Sequence, residues 1–83
     1  MSYRVLVRVM PRAGLLDPEG QAVERALAEL GFSEAAGVRM GRAVELTIEA
    51  GSAAEAEQRS QAMCERLLAN PVTEDFTVEV FDS

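Results

Sequence analysis

The sequence lacks histidine, lysine and tryptophan, and its 83 residues include one cysteine, Cys64, and one asparagine, Asn70. Each absence excludes some chemistry. Without histidine there is no Ser-His or Cys-His dyad, no imidazole base near neutral pH, and none of the commonest metal ligand. One cysteine permits no intrachain disulfide and no paired-thiolate zinc site. Without lysine there is no P-loop cation for a phosphate. All 8 basic residues are arginine, set against 14 acidic ones, for a net charge of -6. Nucleic acid and anionic membranes are bound through clustered cations, so this balance argues against both as partners. No apolar run approaches the roughly 20 residues of a membrane span. Met1-Ser2-Tyr3-Arg4 leads straight into a strand pattern without a secretory leader, so a cytoplasmic location is expected.

The remaining pattern describes one small domain over residues 1–83. Tyr3, Val5, Val7 and Val9 alternate with Arg4, Leu6, Arg8 and Met10, a period-two strand that Pro11 ends. Asp17-Pro18 opens a helix, with aspartate as cap and proline at the first turn. Ala22, Val23, Ala26, Leu27 and Leu30 form its apolar stripe, and Gly31 stops it. Ala35 to Met40 reads as a short second strand, and Gly41-Arg42 as the two-residue turn of a hairpin. Val44, Leu46, Ile48 and Ala50 then form the apolar face of the next strand. Ser52 and Glu55 have capping-box spacing before a second helix. Its inward stripe is read as Ala56, Ser60, Met63, Cys64 and Leu67, ending at Asn70-Pro71. Phe76, Val78 and Val80 alternate with Thr77, Glu79 and Phe81 in a last strand. The order βαββαβ predicts an α+β, ferredoxin-like sandwich: one antiparallel sheet with both helices on one face.

The helix-free face of that sheet would carry Leu6, Met10 and Phe81 among Arg4, Arg8, Thr77 and Glu79. A face of that mixture suits self-association, and these three apolar residues are the expected oligomer contacts. Scattered exposed apolar residues are the ordinary alternative. Cys64 lies on the inward stripe and reads as a small core residue rather than a nucleophile. Gly14 to Gly20 matches neither a P-loop nor a dinucleotide fingerprint, and Asp17 and Glu19 would repel phosphate, so it reads as a capped helix start. Leu15 and Leu16 either tuck under that helix or touch a partner. Arg39 and Arg42 place charge at a hairpin tip, as a solubilising feature or as a dock for an acidic partner.

Several segments also resemble a known family. Gly14-Leu15-Leu16-Asp17-Pro18-Glu19-Gly20 resembles G-V-L-D-P-Q-G, and Ala26 to Phe32 resembles A-L-x-x-L-G-F/Y. Val38 to Leu46 resembles V-R-x-G-K-x-x-E-L. Met63 to Phe76 resembles M-C-E-K-L-L-A-N-P-V-I-E-D-Y/F. The departures are Leu15 for Val, Glu19 for Gln, Arg42 for Lys and Thr73 for Ile. The family is PurS, the small subunit of phosphoribosylformylglycinamidine (FGAM) synthase, and the resemblance covers nearly the whole chain. It implies a non-catalytic subunit in purine (IMP) biosynthesis. There, formylglycinamide ribonucleotide, ATP and glutamine give formylglycinamidine ribonucleotide. It implies a homodimer or dimer of dimers that bridges a PurL-type synthetase and a PurQ-type glutaminase and aids ammonia transfer. ATP, Mg and ADP would sit on the large subunit, with no cofactor on this chain. The family-like loops not demanded by core packing are the expected partner contacts: Gly14, Leu15, Leu16 and Asp17; Arg39 and Arg42; Asn70, Glu74 and Asp75.

The same element order is shared by two other classes. An amino-acid sensor of the ACT type would bind its ligand at a dimer edge, near a glycine placed like Gly14. An acylphosphatase-like enzyme would need an arginine such as Arg12 after the first strand and an asparagine on a later strand. The sole asparagine, Asn70, is expected at a helix end instead. Fold alone decides between none of these.

Overall fold

Period-two alternation does build the sheet. The structure, a computed structural model describing residues 1–82, has strand β1 at Ser2–Pro11, helix α1 at Pro18–Glu29 and strand β2 at Arg42–Glu49. Helix α2 follows at Ala53–Met63, runs into a π-helical turn at Cys64–Leu68, and leads to strand β3 at Glu74–Asp82. The sheet is three-stranded and antiparallel, in the order β2-β1-β3. Val5 lies between Leu46 and Val80, and Val7 between Val44 and Val78. The central strand therefore buries Val5, Val7 and Val9 completely, against Cys64 and Ala69. Tyr3, Ala50 and Ala56 close the other end of the same face.

The ferredoxin-like α+β class stands, with two departures in detail. The first is the expected strand at Ala35–Met40, which does not form. Its alternate amides are spent on carboxylates instead of a ladder: Val38 N donates to Glu24 Oε1 at 3.0 Å and Met40 N to Asp17 Oδ2 at 2.9 Å. Those bonds lash residues 38–40 to α1, so no hairpin forms at Gly41-Arg42, and Arg42 is the first residue of β2. A backbone donor held by a charged acceptor has no reason to leave it for a neutral carbonyl.

The second departure is that only α2 lies on the sheet. It packs on β3 and β1, whereas α1 packs on no other helix or strand to any comparable extent. Gly20 is the only buried residue of α1. The molecule is accordingly drawn out to 50 × 27 × 14 Å with a radius of gyration of 16.1 Å; a compact chain of this length would give roughly 12 Å.

The end of α2 also differs from its expected stripe. Ala56, Ser60 and Cys64 do face the sheet. The π-helical turn then adds a residue to the repeat, which turns Leu67 outward and brings Leu68 and Ala69 onto the core. Met63 is left partly exposed.

Asp17 joins the two parts of the chain. Its Oδ1 accepts from Gly20 N at 3.0 Å as the helix cap, and its Oδ2 accepts from Met40 N. Gly20 is needed for that closeness: a Cβ there would stand 2.4 Å from the Val38 carbonyl oxygen and 2.5 Å from Asp17 Oδ2. At an ordinary helical position, glycine to alanine gains about 1 kcal/mol. Here the sign should reverse. Gly20→Ala is expected to destabilise the chain by about 1–3 kcal/mol, the usual range for overpacking, in urea denaturation followed by circular dichroism. A stabilised variant would show that the clamp is not as described.

Candidate functional site

Two of the family-like segments, at Arg42 and at Asn70 to Asp75, meet at one end of the sheet, where β1 stops and β2 and β3 start. Arg42 forks onto Glu74, with Nη1 to Oε2 at 2.6 Å and Nη2 to Oε1 at 2.9 Å, and Nη2 also reaches the Leu68 carbonyl. Glu74 Oε1 accepts from Asn70 N at 2.8 Å. Asn70 Oδ1 accepts from Val72 N, and the Asn70 carbonyl from Glu74 N, both at 2.9 Å. From the β1 side, Arg12 Nη2 donates to the Pro71 carbonyl at 2.6 Å, and its Nε lies 3.4 Å from Asp75 Oδ1. The Arg12 amide donates to the Thr73 carbonyl at 2.9 Å.

Residues 69–75 are thus a loop tied at both ends by arginine. The Arg42 fork, and next the Asn70 amide, hold the Glu74 carboxyl below its ordinary range. Glu74 in turn raises the Arg42 guanidinium. Asp17 is likewise lowered, first by the Met40 amide and then by that of Gly20.

The structure therefore brings Arg42, Asn70, Glu74 and Asp75 together and adds Arg12, which spacing alone had offered only to a phosphatase-like site. Arg12 and Asn70, the two residues that such a site would use, are both committed to the loop. Gly14, Leu15, Leu16, Asp17 and Arg39 form a separate group beside α1. There a shallow cleft runs from Arg12 and Gly14 past Gln21 to Val38 and Arg39. Among the described residues, no three His, Cys, Asp or Glu side chains converge as metal ligands, and no helix is long and apolar enough to cross a membrane. Cys64 is buried, and burial raises its thiol pKa, which disfavours the thiolate a nucleophile needs.

What the site offers chemically is surface. Leu16 is 74% exposed, Leu30 72%, Leu67 83% and Val72 75%. Val72 crowns the arginine-tied loop. Leu16 and Leu30 belong to the α1 part, together with the half-exposed Leu15 and Phe32. Sequence reasoning singled out Leu15 and Leu16 but missed Leu30 and Leu67, because each sat on a stripe assigned to the core. The expected oligomer contacts are more covered than these. Leu6 and Met10 are half-buried. Arg4 lies over the Phe81 ring at 5.1 Å, and Arg8 pairs with Glu79 on the same face.

Comparisons with known proteins agree on one family. Residues 4–82 match the family model described as PurS, phosphoribosylformylglycinamidine (FGAM) synthase. The chain is 44% identical to the FGAM synthase subunit PurS of Bacillus subtilis, over 94% of this chain and 92% of that one. It is 42% identical to the Synechocystis PurS subunit, over 95% of this chain and 79% of that one. Among solved structures, a chain of PurLQS from Thermotoga maritima superposes with a TM-score of 0.90 at 30% identity, covering 98% of this chain and 99% of that one.

The Arg42–Glu74 fork carries a pH dependence of defined sign. Because the folded-state pKa of Glu74 is depressed, its contribution is complete above the ordinary value of 4.5 and is lost as pH falls through the depressed value. The Asn70 amide should report that loss. Its NMR shift is expected to titrate with a midpoint below 4.5, and Glu74→Gln should reproduce the acid-state shift at neutral pH. An ordinary midpoint, or no response in the variant, would contradict the fork.

Proposed function

The chain belongs to the PurS family of FGAM synthase subunits, and from that premise we propose that it works as a bridge rather than as a catalyst. In this reading it holds a PurL-type synthetase and a PurQ-type glutaminase in one assembly. The assembly converts formylglycinamide ribonucleotide to formylglycinamidine ribonucleotide with ATP and glutamine, in the cytoplasm. ATP, Mg and ADP belong to the synthetase.

One observation carries the reading. The charged groups of the signature loop satisfy one another and the backbone, while the large side chains left outside are apolar. Paired arginines and carboxylates, with Glu74 held below its ordinary range by its arginine, suit a fixed shape, not proton transfer near neutral pH. Exposed leucines and valine suit contact with another protein.

The gain from such a bridge is geometric. Ammonia released at a glutaminase must meet an activated substrate before it escapes to water. Fixing the two active sites in one frame makes that transfer effectively intramolecular. The loop at Asn70, Glu74 and Asp75 and the segment at Gly14–Asp17, with Arg39 and Arg42, supply contacts to the two partners. Two or more copies of the chain associate to form the bridge.

Reconstitution tests this. With all three subunits mixed, glutamine-dependent synthesis is expected. With this chain omitted, it should fall to background while ammonia still supports turnover. Unchanged glutamine-dependent activity without the chain would overturn the bridge.

A further inference from the structure

The end of α2 stands in the costlier of two registers. Its buried stripe runs through Ala56, Ser60 and Cys64 at four-residue steps. An α-helical continuation from Cys64 would carry Leu67 and Leu68 onto the core. Instead the Ala69 amide, five residues on, donates to the Cys64 carbonyl at 3.0 Å, and the π-helical turn carries Leu68 and Ala69 inward. An alanine is thereby buried and a leucine, Leu67, left exposed. Hydrophobic burial favours the reverse, because leucine removes more apolar surface from water than alanine does. π-helical turns are also rare in themselves. The core does not account for this register, so something outside it must.

The Arg42–Glu74 fork is placed to do so. Besides pairing with each other, its two side chains grip the backbone on both sides of Ala69. Arg42 Nη2 donates to the Leu68 carbonyl, and Glu74 Oε1 accepts from Asn70 N. Ala69 leaves the turn in an extended conformation between these two holds. Sliding the chain by one residue to complete an α-helical turn would pull both backbone groups off the fork.

We propose that the end of α2 is a two-register element, and that the Arg42–Glu74 fork is the latch that holds it in the π register with Leu67 on the surface. Packed elements pass between discrete arrangements rather than deforming continuously. Release of the latch therefore gives a second register and not a graded loosening. The Cys64 carbonyl then takes the Leu68 amide, Leu67 turns onto the core, and Ala69 comes out. The fork, far from Leu67 in sequence, thereby decides whether that leucine is displayed. The device is a property of the single chain and does not rest on the bridging role.

NMR scalar coupling across hydrogen bonds tests the register in the full chain. In the unmodified protein the Cys64 carbonyl is expected to couple to the Ala69 amide nitrogen. Arg42 is the more exposed half of the fork, so Arg42→Ala should spare the core, and circular dichroism checks that. In this variant the Ala69 coupling is expected to fall by roughly half or more, and a coupling to the Leu68 amide to appear. Methyl contacts from Leu67 to the buried valines of β1 should appear with it. Glu74→Gln is expected to act in the same direction, and it serves alone if Arg42→Ala does not fold. Adding Leu67→Gln to either variant should restore the Ala69 coupling, because an unpartnered amide resists burial in the core. Simple loosening of the loop would not be reversed in that way. Persistence of the Ala69 coupling alone in the single variants would overturn the latch. Loss of that coupling with none to Leu68 would reveal fraying in place of a second register, and would overturn it as well.

Discussion

Asp17 sets the shape of this molecule. One carboxylate accepts an amide from the first turn of α1 and another from the segment returning to β2. Both bonds are charge-assisted, and both favour the ionised form, as its lowered pKa shows. Glu24 adds a third such bond, from Val38. Together they turn residues 12–41 into a small unit of its own, a helix backed by its return segment. A chain of the same element order that paired residues 35–40 into the sheet would need those amides for the ladder. Two hydrogen bonds, from Val38 and Met40 to two acidic side chains, therefore separate a closed four-stranded sandwich from the open arrangement found here.

That explains which parts of the fold were legible beforehand. Strands β1, β2 and β3 follow from alternation, because a sheet with one buried face imposes period two on every strand. The start of each helix follows from its cap, Asp17 and Ser52, and both caps accept the expected amides. Residues 35–40 were misread because their fate depends on two carboxylates more than a dozen residues earlier, which local pattern does not reveal. Leu67 was misread for another reason. A π-helical turn shifts the repeat by one residue while leaving the residue types unchanged, so an outward leucine and an inward one look alike in sequence. At the candidate site, Arg42, Asn70, Glu74 and Asp75 were visible as a set, but not that their charges would be used up within it. The large apolar side chains around it, Val72 and the uncovered leucines, stay exposed.

Arginine matters to that outcome. Arg42 stands where the family pattern carries lysine, and it binds both oxygens of Glu74 and the Leu68 carbonyl at once. An ammonium is a compact charge without a planar fork and could not keep the same paired geometry. The same holds for Arg12, which braces the loop through Pro71 and Asp75 from the opposite side. In a chain with no lysine, these two arginines thus serve as fixed struts.

A domain of this size buries only about 60% of the surface its unfolded chain exposes, so it has little stability in reserve. This chain covers even less of its apolar surface than its sequence permits, because one of its two helices lies off the sheet. The deficit couples stability to assembly. Whatever covers α1 and the face of β2 adds its binding free energy to folding, in proportion to the logarithm of its concentration. A bridging subunit gains from that coupling. The folded form is most populated where those surfaces are covered. The incompleteness of the isolated chain and its usefulness as a connector then have a single physical origin.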